Sequence, residues 1–258
     1  MELGISGKTA LVTGAGRGLG AAICRSLDSA GVRIIACSRS NNDLQRLLGS
    51  LTSSDHLYFN ADLSTFEGTR KLIAELEHQD LQIDIIINNV GGNLNLTNPL
   101  MSSEDFWNVM HFNMSAAIEL NSNFIPAMQR RNWGRICHVS SISALENQGP
   151  PAYCAAKAAL NAYLRSLARF VCPDNVIITG IMPGAVLTEG GYWDEAQRNR
   201  PEHVSKYLKD RMAIQRFGTE KEISEAVAFL VSEHASFLVG SILLADGGQG
   251  RVFYPQEI

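Results

Sequence analysis

The sequence lacks a strong excess of charge and has no extended basic segment. Its 258 residues include 22 lysines and arginines against 26 aspartates and glutamates, which gives a formal net charge of −4. The longest basic run is the pair Arg130-Arg131. Nucleic acids and anionic membranes attract clusters of Lys and Arg, so we expect neither a nucleic acid nor a membrane among the partners of this chain.

Long hydrophobic runs are also missing. No apolar stretch approaches the roughly 20 residues that cross a bilayer. The first residues, Met1 to Gly7, have neither the basic start nor the apolar core that is typical of a signal peptide. We therefore expect a cytoplasmic protein.

Cysteine is scarce, and its spacing is irregular. The five cysteines are Cys24, Cys37, Cys137, Cys154 and Cys172. Their odd number and the absence of a C-x-x-C pair argue against a disulfide framework and against a structural zinc site. The six histidines are equally dispersed. We predict buried free thiols and no catalytic metal.

What the chain does contain is an alternation of strands and helices. Short apolar runs predict seven strands at residues 9–12, 32–37, 56–60, 83–87, 134–140, 176–181 and 241–244. Helical periodicity predicts helices at about 19–30, 42–51, 65–78, 104–130, 152–171 and 219–231. This order predicts a single α/β domain over 1–258, with a doubly wound, mainly parallel seven-stranded sheet of the Rossmann type and helices on both faces.

The segment 185–217 breaks this alternation. It is irregular, polar and aromatic, and it includes Arg198, Arg200 and His203. Structureless loops of this length usually have a function, so we predict a mobile lid over a substrate. Its cationic side chains either contact a polar or anionic substrate or remain solvated.

Glycines crowd the turn after the first strand, at Gly14, Gly16, Gly18 and Gly20. Without Cβ atoms, the backbone can turn sharply and let a phosphate approach the N–H groups at the start of the next helix. The alternative is a glycine-rich turn that holds no ligand. In a parallel sheet, ligands bind beyond the carboxyl ends of the strands, and the polar loops of this sequence follow those ends.

Tyr153 and Lys157 stand four residues apart on a predicted helix and therefore share a face. A nearby ammonium favours the ionised phenol and lowers its pKa from about 10 toward neutral pH. Such a tyrosine can act as a general acid or base. The alternative is an ordinary pair on the helix surface.

Two further polar groups join this pair. Ser140 ends the preceding strand, where its hydroxyl can bond the oxygen of a carbonyl or alcohol. Ser141 and Ser143 are rival candidates for that task. Asn113 lies inside the long fourth helix, where asparagine is unfavourable unless its side chain has a local partner.

These residues together resemble those of the classical short-chain dehydrogenases/reductases over nearly the whole chain. The matching motifs are T-G-x-x-x-G-x-G at Thr13, Gly14, Gly18 and Gly20, Asp62-Leu63, N-N-x-G at Asn88 to Gly91, the helix residue Asn113, Ser140 placed 13 residues before the tyrosine (153 − 140), Y-x-x-x-K at Tyr153 to Lys157, and P-G-x-x-x-T at Pro183 to Thr188.

The resemblance implies hydride exchange between a nicotinamide cofactor and a carbonyl compound or secondary alcohol. It implies Tyr153 as the proton donor or acceptor and Ser140 as the group that orients the reacting oxygen. Lys157 would lower the pKa of Tyr153 and bind the ribose, and Asn113 would hold a proton relay. The cofactor-binding residues that it implies are Thr13, Gly14, Arg17, Gly18, Leu19, Gly20, Ser38, Arg39, Asp62, Leu63, Asn89, Gly91, Tyr153, Lys157, Pro183, Gly184, Val186 and Thr188.

The end of the second strand indicates which nicotinamide is used. An acidic residue there would bind the ribose 2′-hydroxyl of NAD, and an arginine would bind the 2′-phosphate of NADP. This chain has Ser38 and Arg39 there, and Arg17 lies in the glycine turn. We expect no carboxylate nearby. We predict NADP(H).

We predict a small carbonyl or alcohol compound as the substrate, and the general pattern resembles that of bacterial 3-oxoacyl-acyl-carrier-protein reductases. Arg131 falls where those enzymes meet the carrier protein, but Asp174 stands at their second such position, which makes that partner doubtful. We predict reduction of a ketone. The alternatives are a sugar or polyol dehydrogenase and a catalytically silent cofactor-binding scaffold. Family members are usually homotetramers or homodimers, and we predict the same here.

Overall fold

The computed structural model describes residues 2–251. A seven-stranded sheet forms its centre, with every pair of neighbouring strands parallel. The strands in chain order are β1 (Thr9–Thr13), β2 (Arg33–Ser38), β3 (Leu57–Asn60), β4 (Ile85–Asn88), β5 (Gly134–Val139), β6 (Val176–Pro183), β7 (Val186–Leu187), β8 (Gly218–Thr219) and β9 (Ile242–Ala245). The order across the sheet is β3-β2-β1-β4-β5-β6-β9, and β7 pairs separately with β8.

Helices connect the strands. They are α1 (Gly18–Ser29), α2 (Asn41–Leu48), α3 (Phe66–His78), α4 (Ser103–Arg130), α5 (Ser143–Glu146), α6 (Pro151–Val171), α7 (Tyr192–Asn199), α8 (Pro201–Arg211) and α9 (Glu220–Leu230), with short 3-10 turns at Cys172–Asp174 and Glu233–Ala235. Side-chain caps begin several of them at the predicted places. Thr65 caps α3, Ser102 caps α4, and Thr219 forms a capping box with Glu222 at the start of α9.

Each face of the sheet has its own hydrophobic core. On one face, Ile23 of α1 and Val227 of α9 pack with Val12 of β1. On the other face, Leu120 of α4 and Leu164 of α6 belong to a second cluster. Because both faces of the central strands β1, β4, β5 and β6 are covered, almost every residue of these strands is buried. The predicted α/β class and doubly wound parallel sheet are confirmed; the predicted domain ends at residues 1 and 252–258 lie outside the described part of the chain.

The strand order reverses between β1 and β4. From β1 the sheet continues in one direction through β2 and β3. From β4 it continues in the opposite direction through β5 and β6. The loops that leave β1 and β4 therefore diverge, and a crevice opens beyond their carboxyl ends. The candidate site lies at this edge.

The segment 185–217 is more regular than its sequence suggested. It contains α7 and α8, so the prediction of an irregular segment is wrong. Trp193 of α7 lies 4.2 Å, centroid to centroid, from the Tyr207 ring of α8 and 4.8 Å from Phe217. Both helices are short and bury few apolar residues, Ala196 and Val204 among them, so their periodicity gave a weak signal.

Among residues 2–251, no helix combines the length and apolarity that a membrane crossing requires. The five cysteines are free, as predicted, and four of them are buried, whereas Cys172 is half-buried. Burial raises the pKa of the thiols of Cys37 and Cys137 to about 12. These thiols are therefore uncharged at neutral pH and pack as small apolar groups.

Candidate active site

The glycine turn after β1 closes tightly on itself. Gly14 and Gly18 have φ values of +63° and +57°, a region that favours glycine. A Cβ at Gly20 would overlap the carbonyl group of Gly14, and one at Gly16 would lie 2.8 Å from the Ser38 hydroxyl. The turn therefore keeps its shape only with glycine at these positions.

Beside this turn is a cleft of about 570 Å³. Most of the predicted cofactor residues line it, namely Gly14, Arg17, Gly18, Leu19, Gly20, Ser38, Arg39, Asp62, Leu63, Asn89, Gly91 and Thr188. Those outside its lining are Thr13, Tyr153, Lys157, Pro183, Gly184 and Val186. The lining also includes Asp43 and Phe112, which the sequence analysis did not predict.

Thr13 connects the ends of β1 and β4 beside the cleft by hydrogen bonds. Its hydroxyl donates to the Ile87 carbonyl at 3.0 Å and accepts from the Asn89 backbone N–H at 2.9 Å. The Asn89 side-chain amide donates in turn to the Thr13 and Gly14 carbonyls, at 3.0 and 3.3 Å. These bonds join the carboxyl ends of β1 and β4, so they hold the crevice open at a fixed width.

At one end of the cleft, Arg17 and Arg39 contribute exposed guanidinium groups to the lining. The expectation that no carboxylate lies nearby is wrong, because Asp43 also lines this end. It was missed because it lies one turn into α2 rather than at the end of β2. Arg46 forms an ion pair with Asp43, so this end still carries an excess of positive charge.

Gly91, Asn113 and Lys157 meet at the other end. A Cβ at Gly91 would lie 2.5 Å from Asn113 Oδ1 and 2.8 Å from Lys157 Nζ. Asn113 has the local partners that its position in α4 required: its side chain donates to the Gly92 and Val109 carbonyls, both at 2.8 Å, and accepts from the Gly92 N–H at 3.0 Å. Glycine at position 91 therefore allows the lysine to approach the asparagine.

Lys157 is 3% exposed, and its ammonium donates to the Val139 carbonyl at 3.0 Å. Burial lowers its pKa to about 8. The ammonium lies 5.8 Å from the centroid of the Tyr153 ring, so the predicted pair does share one face of α6. A lysine with a pKa near 8 changes its charge within the pH range of ordinary enzyme assays.

The pKa of Tyr153 is shifted in the direction opposite to the predicted one. Burial raises it, and a hydrogen bond with the Ser141 side chain opposes that rise. A raised pKa keeps the phenol protonated at neutral pH. In this state the tyrosine is a proton donor rather than an acceptor.

The structure distinguishes the three candidate serines. Ser141 interacts with Tyr153 and opposes the rise of its pKa, and the Ser141 hydroxyl accepts from the Ser143 backbone N–H at 3.1 Å. Ser140 continues the pairing of β5 with β6, because its backbone N–H donates to the Ile181 carbonyl. Its buried hydroxyl has no hydrogen-bond partner within residues 2–251. Ser143 donates to the Gln148 carbonyl at 2.6 Å. The spacing of 13 residues selects Ser140, whereas the interaction with Tyr153 favours its rival Ser141, so the serine that orients the substrate stays a prediction.

A buried polar cluster behind the site was not predicted. The Asn121 side chain accepts from Asn88 at 3.1 Å and donates to Tyr163 and His138, each at 3.3 Å. Burial and, second, the charge of Lys157 lower the pKa of His138 to about 3. The ring is therefore neutral and adds no second positive charge beside the lysine. Only the strand register could have indicated this cluster, because Asn88 of β4 and His138 of β5 are paired residues of neighbouring strands.

A parallel sheet with a glycine cradle at its switch point and a tyrosine–lysine pair beside it defines a cofactor-dependent oxidoreductase. The family model described as short chain dehydrogenase matches residues 8–198. The chain therefore belongs to the short-chain dehydrogenases, and the resemblance noted from its motifs is confirmed.

Individual relatives differ in substrate. The chain is 29% identical over 252 residues to a 3-oxoacyl-acyl-carrier-protein reductase of Aquifex aeolicus, which covers 96% of this chain and 99% of the relative. The structure of L-sorbose reductase from Gluconobacter frateurii, complexed with NADPH and L-sorbose, matches with a TM-score of 0.89 at 29% identity, over 96% of this chain and 98% of the other. A 3-oxoacyl-acyl-carrier-protein reductase from Agrobacterium tumefaciens with NADP bound matches with a TM-score of 0.88, also at 29% identity, over 96% of each chain.

Proposed function

We propose that this protein reduces a small ketone to a secondary alcohol with NADPH. The observation that carries the proposal is the position of Lys157 directly behind Gly91 of the cleft wall, with the Tyr153 ring centroid 5.8 Å from its ammonium. The cleft suits a dinucleotide, because the glycine turn that lines it leads into the N-terminus of α1, where backbone N–H groups can bind a phosphate. When bound, NADPH supplies the hydride.

Each residue of the site has a chemical role in this proposal. Tyr153, which its raised pKa keeps protonated at neutral pH, gives its phenolic proton to the ketone oxygen. Ser141, rather than Ser140, orients that oxygen by a hydrogen bond. Lys157 binds ribose hydroxyls and favours the tyrosinate left after proton transfer, and Asn113 holds the loop at Gly92 against the lysine.

NADP(H) is the proposed cofactor because of charge. Arg17 and Arg39 line the end of the cleft that follows β2, where a 2′-phosphate would lie. Asp43, which also lines this end, is paired with Arg46 and so repels a phosphate less than a free carboxylate would. The related sorbose reductase and the Agrobacterium reductase carry NADPH and NADP in their structures.

A carrier protein is not part of the proposal. Arg131 donates to the Ile83 carbonyl at 2.8 Å, and its guanidinium lies 3.7 Å from the Asp84 carboxylate. Asp174 accepts from Gln129 at 2.6 Å. Both side chains therefore serve contacts within the chain. The homotetramer or homodimer and the cytoplasmic location remain predictions from the sequence.

Replacing Tyr153 with Phe tests the proposal. Loss of the general acid should lower kcat for ketone reduction by about 10²- to 10⁴-fold. NADPH binding, measured by quenching of protein fluorescence, should stay within experimental error of the wild type. A Tyr153→Phe variant with undiminished turnover would overturn the proposed function. A wild-type protein that binds NADPH but reduces no ketone would favour the silent scaffold instead.

A further inference from the structure

Gln249 joins three separate segments of the chain. Its Oε1 accepts from the Ala185 backbone N–H at 2.7 Å, and its Nε2 donates to Gln148 Oε1 at 2.9 Å and to the Tyr207 hydroxyl at 2.8 Å. The side chain is 3% exposed. These bonds occupy the amide oxygen and both amide hydrogens. The orientation of the amide is fixed, because reversing it would place a donor against the Ala185 N–H.

This orientation determines which groups Gln148 and Tyr207 still offer. The Oε1 of Gln148 is occupied as an acceptor, so its free group is the amide NH₂. The Tyr207 oxygen accepts from Gln249, so its own hydrogen remains to be donated. Neither donor has an acceptor within residues 2–251. Both side chains are half-buried and therefore reach accessible space.

The donors lie on the side of Tyr153 that faces the lid. Gly149 follows Gln148 directly, and a Cβ there would lie 3.7 Å from Tyr153 Cδ1. Tyr207 belongs to lid helix α8, and Ala185 comes two residues after Pro183 at the end of β6. Gln148 and Tyr207 do not line the cofactor cleft. They are placed to meet the part of a substrate that extends away from the cofactor.

The charges around this donor pair favour a neutral ligand. The carboxylate of Asp246 accepts from the Gly248 and Gly250 N–H groups at 3.0 and 2.7 Å, so a negative charge is held close to Gln249. Arg198 and Arg200 are engaged elsewhere, since Arg198 forms an ion pair with Asp194 at 2.6 Å and Arg200 lies 5.4 Å from the Tyr192 ring centroid. Arg211 of α8 acts electrostatically on Tyr207 and offsets the negative charge of Asp246, so the surroundings attract neither an anion nor a cation. Unbonded donors beside a carboxylate suit a hydroxyl or keto oxygen better than an anion.

We infer that Gln148 and Tyr207, held in place by Gln249, bind a hydroxyl or keto oxygen of a polyhydroxylated ketone at a carbon beyond the reacting carbonyl. This inference rests on the proposed ketone reduction and names its substrate class. Gln249 is a positioning residue, since it acts through the other two. An unsubstituted alkyl chain at this place would desolvate both donors without giving them a partner, which disfavours its binding.

A substrate panel tests the inference in the wild-type protein. NADPH oxidation is followed with ketopentoses and ketohexoses, with 2-hexanone, and with a 3-oxohexanoyl thioester. The best ketose should exceed 2-hexanone and the thioester in kcat/KM by about tenfold or more. Equal or better kcat/KM for 2-hexanone or the thioester would overturn the inference alone. Failure to reduce any ketone would overturn the proposed function, and the inference with it.

Tyr207→Phe removes one donor and keeps the packing against Trp193. For the best ketose it should raise KM by about tenfold, with a smaller change in kcat. For 2-hexanone, and for the affinity for NADPH, no change is expected. Tyr58→Phe, which removes the hydroxyl of an exposed tyrosine on β3 outside the cleft lining, is the matched control and should match the wild type. Equal losses on the ketose and on 2-hexanone would assign Tyr207 a purely structural role and overturn the inference.

Gln249→Glu tests the positioning role. It keeps an oxygen for the Ala185 N–H but replaces the donating NH₂. We expect the same increase in KM for the ketose as with Tyr207→Phe, at an unchanged KM for 2-hexanone. An unchanged KM for the ketose would contradict the role of Gln249, and the Tyr207→Phe result decides the substrate class independently.

Discussion

The two halves of the site are built from different parts of the chain. Around the cofactor cleft, the shape depends on missing side chains, because Cβ atoms at Gly14, Gly20 and Gly91 would collide with their neighbours. Around the segment 185–217, the interactions come from side chains, with Gln249 bonded to Gln148 and Tyr207. The first half is formed by backbone at the edge of a rigid sheet, and the second by side chains on short helices and turns.

This difference separates the tasks of the two halves. A backbone cradle recognises what all dinucleotides share, the phosphates and riboses, and leaves little room for variation. Side-chain donors on a lid can change without disturbing the sheet, so they are suited to select the substrate. The relatives agree with such a division: two of similar overall structure act on L-sorbose and on 3-oxoacyl groups according to their names, and both hold a nicotinamide with the extra phosphate.

Among these substitutions, the largest loss of kcat is expected at the serines, which lie where the two halves of the site meet. Ser141→Ala should lower kcat by about 10²- to 10³-fold, as loss of a donor to a developing oxyanion does. Ser140→Ala should leave kcat near the wild-type value, because the buried Ser140 hydroxyl has no hydrogen-bond partner within residues 2–251. Steady-state kinetics at saturating NADPH measures both. A larger loss with Ser140→Ala would restore the assignment from the motif spacing.

Gly91→Ala probes the backbone half. The added methyl group would push Asn113 and Lys157 apart, and a displacement of about 1 Å at a catalytic group can cost about 10²-fold in rate. We expect kcat to fall by about that factor while the protein remains folded by circular dichroism. Gly49→Ala, at a helical position whose added Cβ would meet nothing closer than 3.5 Å, is the control. Full activity of Gly91→Ala would show that the close approach of asparagine and lysine is dispensable.

The fold and the backbone half could be predicted from the sequence, whereas the side-chain half could not. Each strand of the sheet is a short apolar run, and glycines at fixed spacing record the cofactor turn. Gln148, Tyr207 and Gln249 are far apart in sequence and of common types, so no local pattern marks them. The proposed role of Ser141 in place of Ser140 could not come from the motif spacing either, because it depends on where β5 ends and the chain turns out of the sheet.

Arg39→Asp should have the smallest effect of these substitutions on the overall reaction, because it changes cofactor choice rather than chemistry. The ratio of kcat/KM for NADPH over NADH should fall by about tenfold, since an exposed charge-assisted contact to the 2′-phosphate is replaced by repulsion. Arg25→Asp makes the same change of charge on α1, outside the cleft lining, and should leave the ratio unchanged. An equal decrease of this ratio in both variants would show that the net charge of the protein, and not the position of Arg39, controls the cofactor preference.

The separation of the two halves is tested most directly by combining Arg39→Asp with Tyr207→Phe. The measurement is kcat/KM for all four combinations of NADPH or NADH with the best ketose or 2-hexanone, in the wild type, both single variants and the double variant. The account predicts that Arg39→Asp shifts only the cofactor ratio and Tyr207→Phe only the substrate ratio, and that the double variant shows both shifts multiplied to within about twofold. A Tyr207→Phe variant that shifts the cofactor ratio, or a double variant that departs from the product by tenfold, would contradict it.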